Sequence, residues 1–152
     1  MAWNLLAPHM VHSEFKTPNT SHAAYPDKPM KVLLVDDELL VRRVLAYALS
    51  LDGWEVFAHD QYADCAALIR EHSIDVLVSD YRMDQITGLD LIENLRNAGI
   101  EIPVLILSAN IYAIDSKRAK RLGVCEILSK PLNVKELSRK LTQAVADSKR
   151  GA

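Results

Sequence analysis

The sequence predicts an α/β protein built on a doubly wound, five-stranded parallel sheet with helices on both faces. Three observations predict it. From Met30 onward, short apolar runs alternate five times with stretches of helical period. The runs are continuously apolar rather than alternating, which marks strands buried on both faces. Glycines at 53 and 99 fall where helices should stop. In such a sheet, ligands gather outside the carboxyl ends of the strands, near a topological switch point.

Each element can be justified in turn. KVLLVD (31–36) is an apolar run ending in acid and reads as a buried strand. A helical pattern follows, with Leu40, Val41, Val44, Leu45, Ala48 and Leu51 expected inward. Arg42, Arg43, Tyr47 and Ser50 are expected outward, and Asp52-Gly53 ends the helix. WEVFA (54–58) is the second strand and residues 61–72 the second helix. IDVLVSD (74–80) is a third buried strand, again ending in acid. Residues 88–98 form a helix with Leu89, Ile92 and Leu95 inward, stopped by Gly99. IPVLILS (102–108) is the fourth strand, a weaker helix covers 112–122, and EILS (126–129) is a short fifth strand. Asn133 and Glu136 resemble a capping box opening a last helix. Its inner face is Val134, Leu137, Leu141 and Val145.

Composition narrows the function. The chain has 152 residues, the size of one domain, and is 49% hydrophobic and 25% charged. Its net charge of −2 excludes a globally basic nucleic-acid binder, and no apolar run is long enough to span a membrane. Cys65 and Cys125 cannot form a disulfide framework, fit a reducing cytoplasm, and are expected to be small buried groups. Residues 1–29 hold four of the six prolines and three of the five histidines, contain no glycine, and read as a flexible arm. The irregular spacing of His9, His12 and His22 does not suit a metal site. The expected domain runs from 30 to 148, with a tail at 149–152.

The residues just after the strands carry the chemistry. They are Asp36 and Asp37, Asp80, Ser108, and Lys130. Chance rarely puts acids, a hydroxyl and a lysine at matching strand ends. Two carboxylates about 4 Å apart repel by about 4 kcal/mol at an effective dielectric near 20. Such a pair takes up a proton or a cation. Oxygen ligands without His or Cys suit a hard cation, and Mg²⁺ fits best. Metal, lysine, hydroxyl and carboxylate nucleophile together make a phosphoryl-transfer site. Each residue alone has a plainer reading: Asp36 as a helix N-terminal acid, Ser108 as a turn cap, Asp80 with Lys130 as a structural ion pair.

The motifs VDDE (35–38), SDYRMDQITG (79–88), LSAN (107–110) and ILSKP (127–131) resemble the receiver domain of two-component response regulators. The resemblance covers about 31–147 and implies the flavodoxin-like (βα)5 receiver fold. It implies that Asp80 is the phosphoacceptor, and that Asp37 and Asp80 bind Mg²⁺ directly. Asp36 would bind it through water, with the backbone carbonyl of Arg82 as a further ligand. Ser108 and Lys130 would hold the phosphoryl group, and the Lys130-Pro131 bond would be cis. The implied partners are a histidine kinase or histidine phosphotransfer protein and a downstream protein target.

Three departures from the family pattern stand out. Ile127 replaces the usual aromatic switch residue. Asp84 replaces a common proline. Arg82, two residues after Asp80, and Asn110, two after Ser108, flank the pocket. Lys117, Arg118, Lys120 and Arg121, with Lys135, Arg139 and Lys140, make a basic cluster on the fourth and fifth helices. It reads as a solvated face or as a docking surface for an acidic partner or a second copy. The leading expectation is a stand-alone phosphoacceptor switch rather than an enzyme. The alternatives are a pseudo-receiver that is never phosphorylated and a Mg²⁺-dependent phosphatase. Against the last, Arg82 stands where those enzymes usually carry a second acid.

Overall fold

The computed structural model describes residues 28–151. The strands are β1 (Lys31–Val35), β2 (Glu55–His59), β3 (Val76–Asp80), β4 (Val104–Ser108) and β5 (Val124–Ser129). The helices are α1 (Leu39–Leu51), α2 (Cys65–His72), α3 (Gly88–Asn97), α4 (Ser116–Arg121) and α5 (Val134–Arg150). The sheet order is β2-β1-β3-β4-β5, every neighbouring pair parallel. The chain moves outward from β1 in both directions, so the switch point lies between β1 and β3. Register aligns the carboxyl ends: Val35 lies opposite Ser79, Asp80 opposite Leu107, and Ser108 opposite Ser129.

Both sheet faces are apolar because successive strand residues point to opposite sides. Val32 and Leu34 pack with Leu45 and Leu49 of α1 and Leu137 and Leu141 of α5. Leu33 and Val35 pack with Ile69 of α2 and with Leu89, Ile92 and Leu95 of α3. Trp54 is buried at the entry to β2, and its indole N–H donates to Ser138 Oγ of α5 at 2.9 Å. No helix of the described residues is long and apolar enough to cross a membrane.

Several expectations need correction. In α1 the buried residues are Arg42, Leu45, Ala46, Leu49 and Ser50. Leu40 is 75% exposed and Val44 64% exposed, and Tyr47 and Leu51 are exposed beside them. This helix is apolar on two faces, so periodicity alone does not fix its rotation. Arg42 does: its guanidinium has a buried acceptor in the Asp36 carbonyl, 2.7 Å from Nη1. The expected helix 112–122 is a 3₁₀ turn (Ile111–Ala113) followed by the shorter α4. Asp115 breaks the pattern by capping α4, its side chain accepting from the Arg118 amide at 3.0 Å. The second helix starts at Cys65 rather than 61, since residues 62–64 form bend and turn. β5 begins earlier than expected, at Val124, because Cys125 and Glu126 disguise its apolar run. Cys65 is buried as expected, but Cys125 is exposed, because β5 is an edge strand. Most of the expected arm, including His9, His12 and His22, lies outside the described residues.

Candidate functional site

The switch point brings the strand-end residues into one pocket. Val35 ends β1, and the next two residues, Asp36 and Asp37, turn over the sheet edge. Asp80 ends β3, Ser108 ends β4, and Lys130 follows β5. One carboxylate oxygen from each of Asp36, Asp37 and Asp80 lies within 4.8 Å of the others. The Lys130 ammonium sits 3.0 Å from Asp80 Oδ1 and 3.7 Å from Asp36 Oδ2. Ser108 is placed on the neighbouring strand, its carbonyl accepting from the Lys130 amide at 2.8 Å. The Lys130-Pro131 peptide is cis, as the resemblance implied.

The loops set each carboxylate. The Glu38 amide donates to Asp36 Oδ1 at 2.8 Å, and the Asp84 amide donates to Asp37 Oδ2 at 3.1 Å. A proline at 84 would lack that donor. Ser108 Oγ accepts from the Asn110 amide at 3.0 Å. The loop after Asp80 is closed by an antiparallel bridge between Arg82 and Thr87, and Arg82 is exposed. Gly88 opens α3 directly under the pocket. A Cβ there would lie 2.8 Å from the Asp80 carbonyl oxygen, so only glycine fits.

The electrostatics are those of an under-compensated acid cluster. Asp36 and Asp80 are buried. Burial, then the charges of Asp80 and Asp37, hold the Asp36 carboxyl above its ordinary value, although the Glu38 amide and Lys130 pull the other way. Burial alone would lower Lys130, but its bond to Asp80 and the charges of Asp36 and Glu38 hold it above the usual lysine value. Asp36 Oδ2 is buried without a hydrogen-bond partner. A buried orphan oxygen beside two further carboxylates, with no nitrogen or sulfur ligand, suits a hard divalent cation. The residues present therefore fit Mg²⁺.

Sequence reasoning missed several contributors. The Asp84 amide is invisible to it, because a main-chain donor leaves no residue-type signature. Thr87 and Asp90 form a full capping box at the start of α3, signalled by the spacing T-x-x-D. Arg118 of α4 reaches Asp90 and Glu93 of α3, which only tertiary structure reveals.

Comparison with known proteins agrees with this geometry. The family model described as response regulator receiver domain matches residues 32–142. The sensor histidine kinase RcsC of Escherichia coli K12 is 30% identical over 125 residues, covering 82% of this chain and 13% of that protein. The regulator of RpoS from the same organism is 37% identical over 110 residues, covering 72% of this chain and 32% of that protein. This chain therefore spans a minor part of both relatives. A receiver domain protein from Clostridium thermocellum superposes with a TM-score of 0.73 at 26% identity, covering 81% of this chain and 99% of that one. The chemotaxis protein CheY4 of Vibrio cholerae gives 0.71 at 26% identity, covering 77% and 99%. With the strand order, the acid pocket and the family match in agreement, the chain belongs to the response regulator receiver domains of two-component systems.

Proposed function

We propose that the protein is a phosphoacceptor switch in which Asp80 takes a phosphoryl group from a phosphohistidine on a partner kinase or phosphotransfer protein. The observation that carries this reading is the Lys130 ammonium 3.0 Å from Asp80 Oδ1, beside the buried Asp36 Oδ2, which has no hydrogen-bond partner. In the transfer, an Asp80 carboxylate oxygen attacks phosphorus in line. The phosphorus–nitrogen bond breaks, and the imidazole nitrogen leaves with the electron pair. Lys130 pairs with a phosphoryl oxygen, and Ser108 donates to another. Asp36, Asp37 and Asp80, with the Arg82 carbonyl, would hold Mg²⁺, which when bound neutralises charge on the phosphoryl group. Water later hydrolyses the acyl phosphate, and the exposed Arg82, two residues after Asp80, alters its access.

The donor must reach the pocket mouth, where α1 begins. Leu40, Val44, Tyr47 and Leu51 line the exposed side of α1. Their 4-3-4 spacing is that of a coiled-coil seam, so the face fits a helix of the donor. Output is proposed through α4, β5 and α5, toward a protein target or a second copy. There Arg118 and Lys140 are already paired internally, with Asp90 and Glu93 and with Glu126. Arg139 is paired with Glu136, whereas Lys117, Lys120 and Arg121 of α4 and Lys135 of α5 have no ion pair among the described residues and are left for an acidic partner. We place the switch in the cytoplasm, as a domain spanning 30–148, with no nucleic-acid contact of its own.

The test is incubation with acetyl phosphate and Mg²⁺, followed by intact mass, with Asp80→Asn as control. A labile adduct that needs both Mg²⁺ and Asp80 supports the switch. No adduct points to a pseudo-receiver, and steady turnover of phosphate esters points to a phosphatase.

A further inference from the structure

α4 is the shortest α-helix among the described residues, and of its residues only Ala119 is buried. Six residues hold a helix weakly on their own. Two arginines tie it to α3. At its far end Arg96 Nε donates to the Leu122 carbonyl at 2.9 Å. In its first turns Arg118 Nη2 donates to Asp90 Oδ1 and to Glu93 Oε2, each at 2.8 Å. Both carboxylates raise the Arg118 proton affinity, and the bonds from Thr87 and Arg118 hold Asp90 below its ordinary value.

Asp90 also holds the end of the loop that follows Asp80. Its other oxygen accepts from the Thr87 amide at 2.9 Å, and Thr87 bridges Arg82, two residues past Asp80. A continuous run of bonds thus leads from the Asp80 loop through Thr87 and Asp90 to Arg118. A second path is the chain itself: Ser108 Oγ holds the Asn110 amide, the 3₁₀ turn Ile111–Ala113 follows, and the Asp115 side chain holds the Arg118 amide. The two meet at Arg118. At position 127 the chain has a half-buried isoleucine, with neither ring nor hydroxyl to couple to Ser108.

We infer that the Arg118–Asp90–Glu93 contact is a latch that holds α4 against α3 in the unphosphorylated protein, and that phosphorylation and the closed latch oppose each other energetically. This rests on the reading of Asp80 as phosphoacceptor. Drawing Ser108 onto a phosphoryl oxygen pulls the segment Asn110–Asp115 and with it the first turn of α4. A contact present in one state only biases the equilibrium toward that state, and the coupling is reciprocal. Weakening the latch therefore tightens binding of a phosphoryl group at Asp80, although Arg118 touches nothing in the pocket.

The test uses beryllium trifluoride with Mg²⁺ as the phosphoryl mimic, measured by calorimetry on the full chain. Arg118→Met should bind it roughly two- to tenfold more tightly than the unaltered protein, the range that partly exposed ion pairs allow. Glu93→Gln, which leaves the α3 cap intact, should shift affinity the same way by less. The double variant should match Arg118→Met alone, because the two share one contact. Lys120→Met removes the same charge from the same helix without breaking the contact and should stay near the starting affinity. Unchanged binding by Arg118→Met, or equal tightening by Lys120→Met, overturns the latch. If the unaltered protein takes up no beryllium trifluoride, the phosphoacceptor reading itself fails, and the latch falls with it.

Discussion

Asp36 shows how a single buried carboxylate can be held at the expense of stability. Its folded-state proton affinity is raised, first by burial and then by neighbouring charge, so its ionisation opposes folding. That penalty is complete above the folded-state value. It disappears as pH falls below the ordinary carboxylate value of 3.8. Asp36→Asn should therefore stabilise the protein by about 1 kcal/mol at pH 7 in urea denaturation, with the gain shrinking on acidification through that window. Mg²⁺ should offset the same penalty in the unaltered protein, by about 1.4 kcal/mol at ten times its dissociation constant. Asp36→Asn should lose most of that response. Gly88 makes the opposite point. Gly88→Ala puts a methyl 2.8 Å from the Asp80 carbonyl and should cost about 1–3 kcal/mol, read by the same denaturation experiment. The glycine was visible in the sequence, but the approach of the acceptor strand behind it was not.

Among the elements, α1 teaches most. Its sequence, LLVRRVLAYALSL, offers two apolar stripes, and a hydrophobic pattern alone selects the wrong one. The side facing the sheet is decided by Arg42 and its buried acceptor on Asp36, a contact between a helix and the loop before it. The other stripe faces outward, with Leu40 75% and Val44 64% exposed, and apolar side chains at seam spacing mark an interaction surface. Leu40→Ser with Val44→Ser should change stability by no more than about 0.5 kcal/mol. It should slow phosphotransfer from a histidine donor while leaving labelling by acetyl phosphate unchanged, which separates docking from chemistry. α3 was placed well by its leucines and Gly99, because both its period and its stop are local signals. Its cap was legible but unread. Thr87→Ala should cost about 1 kcal/mol in denaturant, because the Asp90 amide loses its Thr87 Oγ1 acceptor.

Across the whole molecule, what the sequence carried best was the order of elements and the identity of the strand-end residues. Both follow from local rules: buried parallel strands are continuously apolar, and ligands collect where they end. The pocket followed because parallel register puts those ends side by side. What stayed hidden depends on contacts between distant segments: the α1 rotation, the Asp84 amide on Asp37, and the Arg118 bridge. The edge of the sheet was hidden too, and Cys125 was misplaced with it. That edge has a practical result. The chain has two cysteines, and in the folded state they differ sharply. Burial, helped by the charge of Asp64, pushes the Cys65 thiol up to about 12, so it offers almost no thiolate at neutral pH. A maleimide should thus attach once, on the rim strand, and a second time only when the domain opens. The lag between first and second attachment is a clock for that opening, running without denaturant and without any engineered label site.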